Sequence, residues 1–518
     1  MRSEKLEIMN RIRIFLIKFK FEHWAVLFIV FLALFLRLFR ISSYLTFLGD
    51  EGRDALVWLR MLHGKFTLIG PQTSIGNMYL GPLYYYLMLP FYIILGTVGP
   101  SIGVALFAGA TTFLLWFFGK EWFSEKVGLL AAFFYAISPV AIELSRSSWN
   151  PNVMPFFSLM IVWGIWQFWQ KDRYLWLAIE GILLSFAVQS HYLGLLLIPL
   201  VGIFWFLKLF ELIKKKEKYL KKFLCFSIVF ILLFIVLAIV PLIWFDFRHN
   251  FINSKAFYKF FAERQTTVNF KPYKAIPQFW PLWKMLVTRL VAGKNEIFGF
   301  LISLILPVIG IFVWRFDGLK NQISLRVLLL VLAWVGIGIL GMGLYKQHIY
   351  DHYFGFLFPA VFLILAVVLS WLWNFKIYGK VLSAIIFLTI TVLSFEATPL
   401  KYPPNCQLQH TQEISRKIIK ESSGKPFNLG MIAKQNYDAG YRYFLEKWGH
   451  KAVEIDPQKS KETITEQLFV VCEEEECNPT THPQAEIANF GWSKIEKEWS
   501  FPSGVKLFRL VHYEEGKS

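Results

Sequence analysis

The stretch Leu48-Gly49-Asp50-Glu51-Gly52-Arg53-Asp54 sets two adjacent carboxylates, a third one helical turn on, and an arginine directly after the apolar run from Trp24 to Phe39. Adjacent carboxylates beside a cation can take a proton from a hydroxyl. Further polar groups follow in short stretches. One is Ser138-Pro139 to Asn152, with Glu143, Arg146, Trp149 and Asn150. Others are Gln189-Ser190-His191-Tyr192, the run Asp246-Phe247-Arg248-His249-Asn250, and Lys346 to His352 with His348, Tyr350 and Asp351. Each set has a plainer alternative. Asp50 and Glu51 also fit a solvated loop, His191 a satisfied buried histidine, and Glu143 with Arg146 an ion pair inside their loop. Arg37 and Arg40 fit side chains snorkelling from the end of the first apolar run. His348 and His352 have the i, i+4 spacing that suits a shared metal, but two histidines are only half a ligand set. Gly-rich phosphate loops, Ser-His-Asp elbows and zinc motifs are absent.

Most of the remaining chain is too apolar to do chemistry. Of its 518 residues only 17% are charged, where a soluble domain carries about 25%. Apolar runs recur from residue 24 to about residue 396 between short polar breaks, which is the pattern of a polytopic helical membrane protein. Lipid cannot satisfy open backbone groups, so the spans must be helices. The net charge of +18 sits in the breaks between spans, where it sets topology and meets anionic headgroups. It does not mark a nucleic-acid binder. Met1 to Lys20 is basic without a small-residue cleavage site, so the first span reads as a retained anchor.

The two most basic breaks, Met1 to Lys20 and Lys214 to Lys222, belong on the cytoplasmic side, and an even number of spans must separate them. The run 174–210 would extend about 55 Å as one helix against a hydrocarbon core of about 30 Å. It divides at Gln189-Ser190-His191 into 174–189 and 192–210. The run 80–96 holds Pro82, Pro90 and the triplet Tyr84, Tyr85, Tyr86, and reads as interfacial or re-entrant. Eleven spans result: 24–40, 101–118, 127–142, 153–169, 174–189, 192–210, 223–245, 297–314, 326–344, 353–373 and 380–396. The transmembrane domain is thus 1–396, with outer loops 41–100, 143–152, 246–296 and 345–352. All the polar sets above fall on the outer face. Charges at membrane depth cost on the order of 2.5–3.5 kcal/mol each, so such groups tend to be functional or paired.

Residues 397–518 turn sharply toward charged composition and read as a soluble, extracytoplasmic α/β domain. Helices are expected over Glu413–Glu421 and Gly440–Trp448, and strands over Phe427–Ala433, Gln467–Cys472 and Val505–His512. Of the four cysteines, Cys472 and Cys477 bracket four glutamates. They suit a local disulfide in an oxidising compartment better than a metal site.

An acidic pair opening the first outer loop, a Gly-Pro-Leu-rich interfacial helix at 81–96, a polar second loop after Ser138-Pro139 and a long outer loop between the seventh and eighth spans together resemble a known family. It is the GT-C glycosyltransferases of the protein O-mannosyltransferase and aminoarabinose (lipid A) transferase type, over roughly residues 20–396. The resemblance implies an all-α membrane fold and an inverting transfer from a polyprenyl-phosphate sugar to a hydroxyl of a protein, lipid or envelope glycan, at the outer face of the cell membrane. Asp50 matches the first member of the family's acidic pair and would be the base, with Glu51 as partner or substitute. Arg146, His191 and Arg248 would meet the leaving phosphate, where an arginine's planar fork is well suited. His191 stands near where relatives place a lysine. Glu143 and Asn150 would hold sugar or acceptor. Arg53, Asp54, His249, His348 and His352 complete the substrate-binding set. Participation of a divalent metal stays open, because the superfamily differs on it.

Two other readings compete. A transporter or lipid flippase would show polar residues at mid-membrane and paired broken helices, whereas here the polar groups gather toward one face without an internal repeat. A structural or sensory membrane protein would use its tail to bind a partner.

Overall fold

The computed structural model describes residues 21–47, 49–73, 78–216, 218–262, 268–269, 271–315, 325–434 and 438–513. The basic Met1–Lys20 segment and most of the Arg315–Arg326 break lie outside them. The chain forms two compact units. One runs up to Phe39 and includes Leu68–Phe91 and Gly99–Pro403; the other comprises Arg40–Thr67, Tyr92–Val98 and Pro404 onward.

The first unit is helical, and the eleven expected spans all lie on helical segments, 127–142 being divided at Ser138 into Glu125–Ile137 and Pro139–Leu144. Among the described residues six helical runs are long and apolar enough to cross a membrane: Leu83–Trp122, Tyr192–Lys214, Leu220–Arg248, Leu325–Met342, Asp351–Asn374 and Lys376–Glu396. A seventh arises if Pro272–Val291 and Glu296–Phe312, bent by 113°, count as one span. This is an integral membrane protein. Three expected spans are shorter: Glu125–Ile137, Met154–Gln170 and Leu175–Ser190, at 13 to 17 residues. The shortest of them, Glu125–Ile137, is bounded by a capping serine and a proline. Ser124 accepts the Val127 N–H to start it, and Pro139 opens the next short helix after Ile137. Outward faces are apolar as well, with Phe31, Phe206 and Phe210 exposed, as lipid contact requires.

The run at 80–96 forms the helix Leu83–Leu95, followed by the 3-10 turn Gly96–Val98 and the helix Gly99–Trp122. The 246–296 loop is more ordered than expected, because it contains the helices Ile252–Ala262 and Ile276–Val291. Its middle is tied to the 345–352 loop where Val268 bridges Tyr345 and the Asn269 N–H donates to the Leu344 carbonyl at 2.7 Å.

The second unit has a four-stranded sheet of β1 (Asn428–Ile432), β2 (Gln467–Cys472), β3 (Ser493–Ser500) and β4 (Lys506–His512), in the order β1-β2-β4-β3. β1 and β2 are parallel; β4 runs antiparallel to β2 and β3. Alternation along the strands fills two layers. Leu429, Met431, Phe469, Val471 and Leu507 pack on Ile414, Ile418, Tyr441 and Leu445, while Leu468, Val470 and Phe508 pack on Ile487 and Phe490. The expected elements appear as Gln407–Ser422, β1, Ala439–Lys447, β2 and β4. β3 escaped the sequence reading because it is a charged edge strand with no apolar period. Cys472 and Cys477 are disulfide-bonded. This unit also takes in residues 40–67, so the helix Gly49–Leu62, which carries the acidic stretch, folds with the C-terminal sheet.

Candidate active site

The four residues of the acidic stretch separate into distinct jobs. Glu51 is buried, and its Oε2 accepts from the Thr46 hydroxyl at 2.7 Å and from the Phe47 N–H. A carboxylate in the first helical turn that reaches back to the preceding backbone is a capping group. Glu51 was expected to share or substitute for the base. In the fold its accepting oxygen is already engaged, so it serves to hold the helix start. Arg53 donates through Nε and Nη2 to Oδ1 of the fully buried Asp54, at 2.9 and 2.8 Å, and through Nη1 to Asp50 Oδ1 at 2.7 Å. Asp50 keeps about half of its side chain exposed (49%). It is the accessible carboxylate of the three, set in the first turn of the helix.

In the first unit, the turns after Ser138 and after Ser190 and the 345–353 segment converge. The Trp149 ring lies 4.2 Å from His352, His352 lies 5.9 Å from His191, and Tyr353 lies 5.0 Å from His191. Tyr345 and Tyr350 flank Tyr353, and His348 packs on Tyr350 at 4.6 Å. Asn150 is buried and donates to the Ser190 carbonyl, fixing one turn to the other. Leu193 N–H donates to His191 Nδ1 at 3.1 Å, so a neutral ring carries its proton on Nε2. His191 keeps some surface, but desolvation among these rings pushes its pKa down to about 4. It is therefore not a standing cation for a phosphate. The cluster offers aromatic faces, tyrosine hydroxyls and neutral imidazoles, which suit a sugar ring. Sequence reasoning missed Tyr345 and Tyr353; the aromatic and histidine density of 345–353 was the available signal.

Arg146, expected to meet the phosphate, has backbone partners in the fold. It is buried, and its guanidinium donates to the carbonyls of Leu36 (2.7 Å), Arg37 (3.0 Å) and Phe39 (2.8 Å). These are orphan acceptors at the end of the Phe21–Leu38 helix, so Arg146 is a C-cap cation with no open face toward a phosphate. Nor does it pair with Glu143, which is exposed and faces Lys294 at 3.4 Å. Arg37 does not snorkel. It is fully buried, donating to Ala33, Ala136 and Tyr135 carbonyls.

A third set surrounds Gln189. Pro241 lacks an N–H, so the Leu237 carbonyl loses its helical donor beside the π-turn Ile235–Ile239. Gln189 Nε2 supplies the bond at 2.9 Å, and its Oε1 accepts from Leu83 N–H at 3.1 Å. Alongside, Tyr192 donates to the Tyr79 carbonyl (2.6 Å), Tyr79 N–H to Asn253 (2.8 Å) and Asn253 N–H to the buried Asp246 (2.8 Å). Asp246 caps the Ile252–Ala262 helix, leaving Arg248 exposed over the Trp244 ring and His249 stacked on Phe245 at 4.1 Å. Among the described residues no group of three or more His, Cys, Asp or Glu converges as a metal site, and His348 and His352 gain no third partner there.

Residues 81–244 match the family model described as dolichyl-phosphate-mannose-protein mannosyltransferase. Comparison with curated proteins gives no match. Among solved structures, ArnT from Cupriavidus metallidurans bound to undecaprenyl phosphate is similar at 13% identity and TM-score 0.55, covering 94% of this chain and 97% of that one. The apo state of the same protein gives 12%, 0.53, 93% and 96%. The Archaeoglobus fulgidus oligosaccharyltransferase tethered with an acceptor peptide containing the NVT sequon gives 12% and 0.50, over 96% of this chain and 74% of that one. The chain resembles the GT-C glycosyltransferases of the mannosyltransferase and ArnT kind, and at these identities the structural likeness is one of fold.

Proposed function

We propose that this membrane protein transfers a sugar, with inversion, from a polyprenyl-phosphate-linked donor to an acceptor hydroxyl on the outer membrane face. The observation that carries the reading is the division within the acidic stretch, with Asp50 exposed, Glu51 engaged as a cap and Asp54 buried under Arg53. Asp50 accepts the hydroxyl proton, the oxygen attacks the anomeric carbon, and the bond from that carbon to the phosphate oxygen breaks. Polyprenyl phosphate leaves with the bonding pair. Arg53 holds Asp50 in its rotamer. In the first unit the exposed Arg248, with His249 beside it, offers a cation to a phosphate. The Trp149, His191, His352 and Tyr353 cluster, with Asn150 and His348, holds the sugar or acceptor.

The match of 81–244 to a dolichyl-phosphate-mannose-dependent family and the ArnT-like fold support a lipid-linked donor. The acceptor is a protein, lipid or envelope glycan, the membrane is the cell membrane, the N-terminus is cytoplasmic and the C-terminal domain extracytoplasmic. The test uses the full chain in lipid nanodiscs, offered undecaprenyl-phosphate-linked mannose, glucose and aminoarabinose. Release of undecaprenyl phosphate from at least one donor is expected, and Asp50→Asn should lower it about 10²–10⁴-fold. Equal release by Asp50→Asn, or none from any donor, would reject the reading.

A further inference from the structure

The helix bearing Asp50 is gripped by the C-terminal domain. Gly49–Leu62 crosses Ala439–Lys447 at Gly52 and Gly440, where a Cβ on Gly52 would fall 2.4 Å from the Gly440 nitrogen and 2.6 Å from its Cα. A Cβ on Gly440 would come within 3.1 Å of the Phe47 carbonyl. At Gly52 backbone touches backbone and no side chain fits, while at Gly440 a Cβ is tighter than an ordinary contact. Just before the first turn, the Phe47 ring lies 5.7 Å from Tyr443 and 5.4 Å from Phe444, and its N–H is the one that Glu51 holds. At the far end Arg60 grips Glu446 with two bonds, Nε to Oε1 at 3.1 Å and Nη2 to Oε2 at 3.0 Å. Between them the buried Trp58 stacks on Tyr92, whose hydroxyl meets that of Tyr443 at 3.0 Å. Upstream, Cys406 N–H and Gln409 Nε2 donate to the carbonyls of Ser43 and Ser42.

We propose that the C-terminal domain is a positioning part of the catalytic machinery, with Gly440 and Glu446 fixing the place and pitch of the helix that presents Asp50. The proposal rests on Asp50 being the base. It gives a function to a domain that the chemistry itself does not require. A Cβ at position 440 meets the Phe47 carbonyl at 3.1 Å, so the segment entering the Asp50 helix must yield by a few tenths of an ångström, and the two methyls of a valine add to that; a misplacement of a reacting group by about 1 Å costs about 10²-fold in rate. The paired arginine fork at the far end sets rotation about the helix axis, because a bidentate pair tolerates one geometry.

The test uses the full chain in nanodiscs with mannosyl-phosphoryl-undecaprenol as probe, alongside amide hydrogen exchange. Gly440→Val and Glu446→Arg should each lower kcat about 10–100-fold while donor KM moves less than about threefold. The reversal Arg60→Glu with Glu446→Arg should bring kcat back to within about fivefold of the parent, as an orientation-setting ion pair requires. In both single variants amides of residues 49–62 should exchange faster, and those of Glu125–Ile137 and Met154–Gln170 should not change. Single variants that keep parental kcat, a double variant no better than Glu446→Arg, or unchanged exchange over 49–62 would overturn the proposal. If Asp50→Asn retains full turnover, the assignment of the base fails instead. If the parent does not turn over this probe, the exchange of 49–62 decides alone.

Discussion

Replacing Arg146 by Ala separates a structural cation from a phosphate-binding one. Its three hydrogen bonds, at 2.7, 3.0 and 2.8 Å, close the carbonyls of Leu36, Arg37 and Phe39. Bonds to a charged donor contribute about 1.5–3 kcal/mol each, so their sum has a ceiling of about 4.5–9 kcal/mol. Water entering the vacated space recovers part of that, and removing one side of a buried charged contact usually costs about 3–5 kcal/mol. The expected result is a fall in thermal midpoint of about 3–5 °C, followed in nanodiscs by intrinsic tryptophan fluorescence. Arg146→Lys should recover little of it, since one ammonium cannot span three carbonyls in the guanidinium's plane. Donor KM should be unchanged in whatever fraction stays folded. An Arg146→Ala protein with the parental midpoint and a KM raised tenfold would refute the capping argument and return Arg146 to the phosphate.

Other outcomes follow from the same geometry. Glu51→Gln keeps an acceptor for Thr46 and Phe47 and should retain turnover within about threefold, whereas Glu51→Ala leaves a buried N–H unmet and should destabilise by about 1–3 kcal/mol, read as a lower midpoint. Gly81→Ala would put a methyl 2.0 Å from Gln189 Oε1. Gln189 must then release the Leu237 carbonyl and the Leu83 N–H, at a cost of about 2–4 kcal/mol for two unmet groups, checked by thermal denaturation. His191 is held near pKa 4 by burial. The unfolded chain therefore binds a proton between about pH 6.5 and 4 that the folded chain refuses. Stability should fall as pH drops through that window, His191→Gln should flatten the slope, and the pH–rate profile should show no limb from His191 between pH 5 and 8.

The class of the protein was legible in its residues. Apolar runs of membrane length between basic breaks leave helices in lipid as the solution that satisfies the backbone, and the expected spans fold as helix, 127–142 in two pieces. The acidic stretch also stood out, because charge beside an apolar run has few structural uses. The tail's strands β1, β2 and β4 follow from apolar runs, whereas β3 carries no such pattern. What the residues could not reveal was which polar groups are already spent. Asp50 and Glu51 are chemically alike and adjacent, and only the path of Thr46 and Phe47 back over the helix start makes one a cap and leaves the other exposed. Arg146 reads as a phosphate ligand until the end of a helix more than a hundred residues earlier claims it. Gly52 and Gly440 look like ordinary glycines until two helices cross on them. Composition and period are local and survive in one dimension. Hydrogen-bond satisfaction pairs groups far apart in sequence, so the division of labour among the polar residues, and the tail's hold on Asp50, were decided by the tertiary structure.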